Sequence, residues 1–120
     1  MKTLIILLSE PGTHESLGRA LHALLYAKEL KESDVEVKLI FDGGGTKWAS
    51  DMVDPDNKLN SLFKEVVALG IIDGICDYCI GAFKADRTVI ENTFLPIAGE
   101  YDGHPSIAKY VKEGYQVITL

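Results

Sequence analysis

Apolar and polar residues alternate along the chain in blocks that predict strands and helices in turn. Nearly continuous apolar runs at Thr3–Leu8 and Ile71–Ile75, and a partly alternating run at Val35–Phe41, predict three buried strands. Tyr115–Leu120 predicts a last strand. Because a strand buried on both faces lacks the strict alternation of a half-exposed strand, these runs favour a parallel sheet.

Between the predicted strands, apolar residues recur with the spacing of a helix. We expect a first helix from about His14, capped by Thr13, because apolar residues recur from there at intervals of three and four. A short helix at Lys47–Met52 and a longer one ended by Gly70 precede the third strand. The apolar faces of the first and of the longer helix comprise Leu17, Ala20, Leu21, Leu24 and Leu25, and Leu59, Leu62, Phe63 and Val66, respectively.

The segment Asp86–Gly103 carries no clear period. Its apolar parts, Thr88–Ile90 and Phe94–Ile97, are compatible with a strand, a short helix or an interface loop. After it we expect a short helix with Pro105 at its first position and Gly114 at its end.

The alternation of strands and helices predicts an α/β fold. We expect residues 1–120 to form a single three-layer domain, with a mainly parallel sheet and helices on both faces. The first three predicted strands should be neighbours, and sites in such sheets lie outside the carboxyl ends of the strands. The loops that meet there are Ser9–Thr13, Asp42–Lys47 and the one that begins at Asp77.

Net charge and hydropathy limit the classes of partner that we expect and predict the cellular compartment. The net charge is −6 and no lysine or arginine run occurs, so we expect no nucleic-acid and no membrane partner. Thr3–Leu8 is too short to span a bilayer and lacks the flanks of a signal peptide, which predicts a cytoplasmic protein. In that compartment, two cysteines are more often reduced, catalytic or metal-binding than joined in a structural disulfide.

Both cysteines lie where a predicted strand gives way to a predicted helix. Cys76 ends the apolar run, and Cys79 follows three residues later, within the start of the helix. Helix N–H groups and the helix dipole favour a thiolate at such a corner, although the neighbouring Asp77 opposes it. We therefore expect Cys76 and Cys79 to be the catalytic residues, with Cys76 the more reactive thiol. The alternative is that two small apolar side chains fill the core.

Other chemistries remain open at these residues. A metal site needs ligands beyond the two cysteines, and His14 or His104, both at predicted helix starts or loops, would have to provide them. A thioredoxin-like reductase is disfavoured because the strand order of that fold is missing. The glycine run after Asp42 lacks the spacing of a phosphate-binding motif, which favours a sharp turn. We expect no cofactor and no resident metal.

Several of these features together resemble the DsrE/DsrF-like family of small sulfur-relay proteins, which includes subunits of the TusD type. The resemblance covers nearly the whole chain. It rests on the opening strand, the Leu17–Leu25 helix, the Val35–Phe41 strand with its Asp42-Gly43 end, the Cys76 corner and the closing Glu113–Val117 segment.

The resemblance implies a doubly covered α/β domain that carries sulfur as a cysteine persulfide and transfers it to a partner. The functional cysteine then maps to Cys76, or to Cys79 in a looser alignment. Sulfur donor and acceptor proteins are the implied partners, and a homo-oligomer is expected, as a trimer or hexamer with a dimer as the alternative. The chain departs from relay subunits in its Gly43–Trp48 insertion and in its second cysteine. A non-enzymatic binding or scaffold protein of the same fold is the competing interpretation, so a sulfurtransferase activity is left open.

Overall fold

The computed structural model describes residues 1–120 and contains a five-stranded sheet in which every strand pair is parallel. The strands are β1 (Lys2–Leu7), β2 (Glu36–Phe41), β3 (Ile72–Cys76), β4 (Ile97–Ala98) and β5 (Gln116–Thr119). The helices are α1 (His14–Glu32), α2 (Gly45–Asp51), α3 (Asn60–Ala68), α4 (Asp77–Ala82), α5 (Arg87–Asn92) and α6 (Ile107–Lys112). The predicted α/β class with a parallel sheet is confirmed.

The strand order is β4-β3-β2-β1-β5, so the first three predicted strands are neighbours, as expected. Leu7 pairs with Phe41, and Phe41 pairs with Ile75. The carboxyl ends of the three central strands are therefore level, and the residues that follow them share one edge of the sheet. This register brings the end of β2 beside the Cys76 corner.

Alternate residues of β1 point to opposite faces of the sheet, and each face has its own core. Ile5 and Leu7 belong to a large cluster of 20 buried residues, to which α1 to α5 all contribute. Leu4 and Ile6 belong to a cluster of five that includes Tyr110 of α6. Helices thus cover both faces, giving three layers, but the two outer layers are very unequal.

The first helix begins as the sequence predicts. Thr13 is its N-cap and accepts a hydrogen bond from the Ser16 N–H at 3.0 Å, while the Ser16 hydroxyl accepts one from the Thr13 N–H. The predicted apolar face is wrong at one position, since Leu25 is 40% exposed. The buried side of α1 is centred on three small residues, Ala20, Ala23 and Ala27, together with Leu24.

The segment that had no clear period contains α5 and the two-residue strand β4, joined by a turn. The prediction that Pro105 opens the next helix is wrong. Ser106 is the N-cap of α6, its hydroxyl accepts a hydrogen bond from the Lys109 N–H, and the helix begins at Ile107. Pro105 therefore lies outside the helix, one residue before the cap.

Candidate functional site

The two cysteines lie at a strand-to-helix corner, as the sequence predicts. Cys76 is the last residue of β3 and the N-cap of α4, and its Sγ accepts a hydrogen bond from the Cys79 N–H at 3.4 Å. Cys79 lies in the first turn of α4. Both are free thiols, with Cys76 fully buried and Cys79 6% exposed.

His104 brings an imidazole to both thiols from a distant part of the chain. Its Nδ1 lies 3.2 Å from the Cys76 Sγ and 3.7 Å from the Cys79 Sγ. His104 belongs to the Gly99–Pro105 loop between β4 and α6, in which Tyr101 and His104 exchange two backbone hydrogen bonds of 2.8 Å. The loop lies over the cysteines and supplies the one histidine that contacts them.

The aromatic ring of Tyr78 and the backbone of α4 hold this loop in place. The Tyr78 N–H donates to the Gly103 carbonyl at 2.9 Å, and the Tyr78 ring centroid lies 5.0 Å from that of His104. Gly103 also has a positive φ of 84°, which favours glycine, and an added Cβ would lie 3.2 Å from the Tyr78 Cβ. The loop therefore has a defined resting position against the first turn of α4.

Asp42 is the fourth member of the site, and the sequence interpretation did not single it out. It follows the last residue of β2, and its Oδ1 accepts hydrogen bonds from the Gly43 N–H at 2.8 Å and from the Cys79 thiol at 3.6 Å. Its position directly after a strand, next to the strand that ends in Cys76, is the signal that could have identified it.

The glycine run after Asp42 forms a turn rather than a phosphate cradle. Gly43 has a φ of 52°, and a Cβ on Gly45 would lie 1.9 Å from the Leu7 carbonyl oxygen. Glycine is therefore required for α2 to start against the end of β1. The Thr46 hydroxyl then donates to the Cys79 carbonyl at 3.2 Å, which joins this turn to the cysteine helix.

Burial has the largest effect on the pKa of Cys76. Loss of solvent raises the pKa of the Cys76 thiol well above its ordinary value, hydrogen bonding with Cys79 and Asp42 raises it further, and the Cys79 N–H opposes the shift. The Cys79 N–H, the helix group that we expected to favour the thiolate, does donate to the Cys76 Sγ, but its effect on the pKa is smaller than that of burial. Asp77, expected to oppose ionisation, points elsewhere and forms an ion pair with Arg87 at 2.9 Å.

The other histidine candidate is not part of the site. His14 starts α1 and lines a surface groove with Glu15, His22 and Tyr26. Beside the cysteines, a cleft of about 340 Å³ is lined by Asp42, His104 and the residues that lead into α6, namely Pro105, Ser106, Ile107 and Ala108, together with Tyr101. The cleft gives Asp42 and His104 a route to solvent that the thiols themselves lack.

The four side chains can perform thiol chemistry. An imidazole nitrogen within hydrogen-bond distance of a cysteine sulfur is the arrangement of a nucleophile and its base. Their ligand atoms, one from each of Asp42, Cys76, Cys79 and His104, all lie within 4.8 Å of one another. The fold and the site together define a small α/β domain with two thiols, a carboxylate and an imidazole at the carboxyl edge of a parallel sheet.

The model of the DsrE/DsrF-like family matches residues 1–120, and the chain therefore belongs to that family. This confirms the resemblance seen in the sequence. Membership of this family implies a fold of the sulfur-relay type.

Two similar proteins have no established function. The chain is 33% identical over 100 residues to the uncharacterized protein MJ0733 of Methanocaldococcus jannaschii, covering 83% of this chain and 78% of that protein. The solved structure of a conserved protein of unknown function from Bacteroides thetaiotaomicron, BT1422, superposes with a TM-score of 0.66 at 17% identity. That alignment covers 98% of this chain and 94% of the other, and supports the fold alone.

None of the helices combines the length and apolar character needed to cross a membrane.

Proposed function

We propose that this protein carries sulfur as a persulfide on Cys76 and transfers it between a donor and an acceptor protein. The observation that carries the proposal is the 3.2 Å contact between the Cys76 Sγ and the His104 Nδ1. A buried thiol alone is a poor nucleophile, because desolvation disfavours its thiolate. A neighbouring imidazole can accept the proton and form a thiolate–imidazolium pair, which offsets that penalty.

The transfer step needs no oxidant or reductant. His104 takes the Cys76 proton, and the thiolate attacks the outer sulfur of a donor persulfide. A new sulfur–sulfur bond forms on Cys76 as the donor's bond breaks, and the donor leaves as a thiol after it receives a proton from His104. An acceptor thiolate then attacks the outer sulfur of the Cys76 persulfide and restores the Cys76 thiol.

Cys79 and Asp42 have supporting roles in this proposal. The Cys79 Sγ faces the same imidazole nitrogen at 3.7 Å, so the second thiol lies close to sulfur carried on Cys76 and can protect it or resolve it. The Cys79 thiol donates a hydrogen bond to the Asp42 Oδ1 at 3.6 Å, so Asp42 orients Cys79 beside Cys76.

Access requires movement of the Gly99–Pro105 loop, because Cys76 is fully buried beneath it. The Gly103 carbonyl lies 3.8 Å from the Cys76 Sγ. The Tyr101–His104 pair fixes the shape of the loop itself, and the Tyr78 N–H ties the loop to α4 through the Gly103 carbonyl. The cleft beside His104 is where a donor or acceptor side chain could approach. Because His104 belongs to the same loop, a bound partner would have to shift the Gly103 carbonyl away from the thiol while the imidazole stays beside it.

Intact-mass spectrometry after exposure to a persulfide donor tests this function. The reduced wild-type protein should gain the mass of one sulfur atom per chain and lose it when an acceptor thiol is added. Cys76→Ser should gain none, while Cys79→Ser should still be loaded. His14→Ala serves as the control, since it removes a histidine that does not contact the cysteines.

Two results would overturn the proposal. If Cys76→Ser gains sulfur as fast as wild type, the carrier is Cys79. If wild type gains no sulfur and both thiols react only after unfolding, the cysteines are core residues and the competing scaffold interpretation stands. Circular dichroism of each variant shows whether the fold is intact.

A further inference from the structure

We propose that Asp42, Cys76, Cys79 and His104 form a four-ligand site for Zn²⁺. The donors come from three separate parts of the chain: the end of β2, the β3–α4 corner and the loop before α6. In the sequence, Cys76 and Cys79 offered two ligands in one motif, His14 or His104 would have had to add a third, and no resident metal was expected. The structure adds a carboxylate and an imidazole, and all four ligand atoms lie within 4.8 Å of one another.

The spacing of the donor atoms fits tetrahedral coordination. Zinc binds sulfur at about 2.3 Å and nitrogen or oxygen at about 2.0–2.2 Å, so a tetrahedral ion separates neighbouring donors by about 3.6 Å. The Cys79 Sγ lies 3.7 Å from the His104 Nδ1 and 3.6 Å from the Asp42 Oδ1, and the Cys76 Sγ lies 3.2 Å from the same nitrogen. Small side-chain shifts would place every donor around one ion.

The chemistry of the donors selects the metal. Thiolate and imidazole ligands exclude Mg²⁺ and Ca²⁺, which take oxygen ligands, and favour Zn²⁺, Cu⁺ or iron. A carboxylate in the fourth position argues against Cu⁺, which prefers soft ligands, and suits Zn²⁺. Metal binding deprotonates thiol ligands, and a divalent cation would then neutralise most of the charge of the two thiolates and the carboxylate, since the cluster holds no lysine or arginine.

The number of ligands indicates what the ion would do. Catalytic zinc sites use three protein ligands and keep one position for water, whereas closed sites use four. With four protein ligands, zinc here would occupy both thiolates and fix the His104 loop to the sheet edge. The zinc form and the persulfide form are therefore mutually exclusive states of the same cysteines, and zinc would hold the protein in an inactive, protected state.

Cobalt titration of the full-length reduced protein tests the site without any sulfur donor. Protein freed of metal by a chelator should bind one Co²⁺ per chain under anaerobic conditions. Binding should produce a sulfur-to-cobalt charge-transfer band and the intense visible bands of tetrahedral cobalt. One equivalent of Zn²⁺ should then abolish both signals.

Variants of the two ligands outside the cysteine motif identify the site. His104→Ala and Asp42→Asn should each weaken cobalt binding by about tenfold or more, since even outer-shell changes cost 10- to 100-fold. The matched controls His14→Ala and Asp77→Asn should bind as wild type. Cys76 is fully buried, and a change there risks the fold, so the test rests on His104→Ala and Asp42→Asn.

The proposal is overturned if wild type shows no sulfur-to-cobalt band at one equivalent, or if His104→Ala or Asp42→Asn keeps wild-type affinity. The test of the metal site does not depend on sulfur transfer, which is measured with chelator present. If the protein binds cobalt but takes up no sulfur, the metal site stands and the proposed carrier function fails. If it takes up sulfur but binds no cobalt, the carrier function stands and the metal site fails. If both hold, one equivalent of Zn²⁺ should block sulfur uptake.

Discussion

The His104 Nδ1 lies 3.2 Å from the Cys76 Sγ, although 28 residues separate the two in the sequence. This contact gives the buried thiol a proton acceptor that no group on its own strand or helix provides. The proposed sulfur transfer therefore depends on the Gly99–Pro105 loop, which positions the imidazole.

Replacement of His104 tests the role of the imidazole as a base. We expect His104→Ala to slow sulfur uptake about 100-fold or more, because general-base catalysis commonly contributes 10²–10⁴ in rate. Quenched-flow sampling with intact-mass detection measures the rate, and His14→Ala should match wild type. An unchanged rate in His104→Ala would show that Cys76 ionises without this histidine.

The loop over the thiols should control their accessibility. Tyr78→Ala removes a ring that packs on His104, and such aromatic pairs contribute about 0.5–1.5 kcal/mol. We expect Cys76 in this variant to react with a small alkylating reagent up to about tenfold faster, because loop opening becomes more frequent. The labelling rate of each cysteine is read by peptide mass spectrometry.

The control for this change is Tyr26→Ala, which removes an exposed tyrosine on α1, far along the chain from the cysteines. Equal labelling rates in Tyr78→Ala and wild type would mean that the thiols become exposed by a motion other than loop opening.

The sequence predicted the local part of the site, named His104 only as one of two candidate histidines, and missed Asp42. The Cys76 corner was visible because an apolar run ends and a small-residue helix begins within a few positions. Asp42 reaches Cys79 across 37 residues, through the register of two strands, and local patterns do not contain that register. His104 depends on the path after β4, a strand of two residues that is too short to show a period.

The errors in the fold have similar physical causes. Leu25 lies on the helical spacing of α1 and yet is exposed, because the contact with the sheet is made through Ala20, Ala23 and Ala27. Small residues let a helix approach closely, but they give a weak apolar signal in the sequence. The central strands gave a strong signal and were predicted to within about one residue at each end.

A hydrogen bond across the sheet should give stability that depends on pH. The Tyr115 hydroxyl, just before β5, donates to the Glu36 carboxylate at the start of β2. This bond lowers the pKa of Glu36, whereas burial and the same bond raise the pKa of Tyr115 to about 12. The stabilisation is therefore present above the ordinary pKa of Glu36 and below that of tyrosine. It is lost as the pH falls through the folded-state pKa of Glu36 or rises through that of Tyr115.

Tyr115→Phe should lower the free energy of unfolding between about pH 5 and 9, and the difference from wild type should shrink on either side of that range. Urea unfolding at a series of pH values measures it. Tyr101→Phe is the control, because that tyrosine is 69% exposed. A difference that stays constant down to pH 3 would contradict the assigned role of the Glu36 carboxylate.

We propose that the protein is a homo-oligomer, as a trimer or a multiple of one, with a dimer as the alternative. Phe94 is 92% exposed and Tyr101 is 69% exposed, both within the segment Asp86–Gly103. Exposed aromatic side chains in one region often mark an interface. Light scattering at micromolar concentration should report several chains, and Phe94→Glu should lower the mass while Tyr26→Glu does not. A monomeric wild type would contradict the proposal.

The position of the carried sulfur is the most direct test of the central claim. The reduced, metal-free protein is exposed to a persulfide donor, its sulfur atoms are trapped by alkylation, and peptide mass spectrometry then distinguishes Cys76 from Cys79. The account predicts one additional sulfur on Cys76, which disappears when an acceptor thiol is added. Additional sulfur on Cys79 alone, or on neither cysteine of the folded protein, would contradict it.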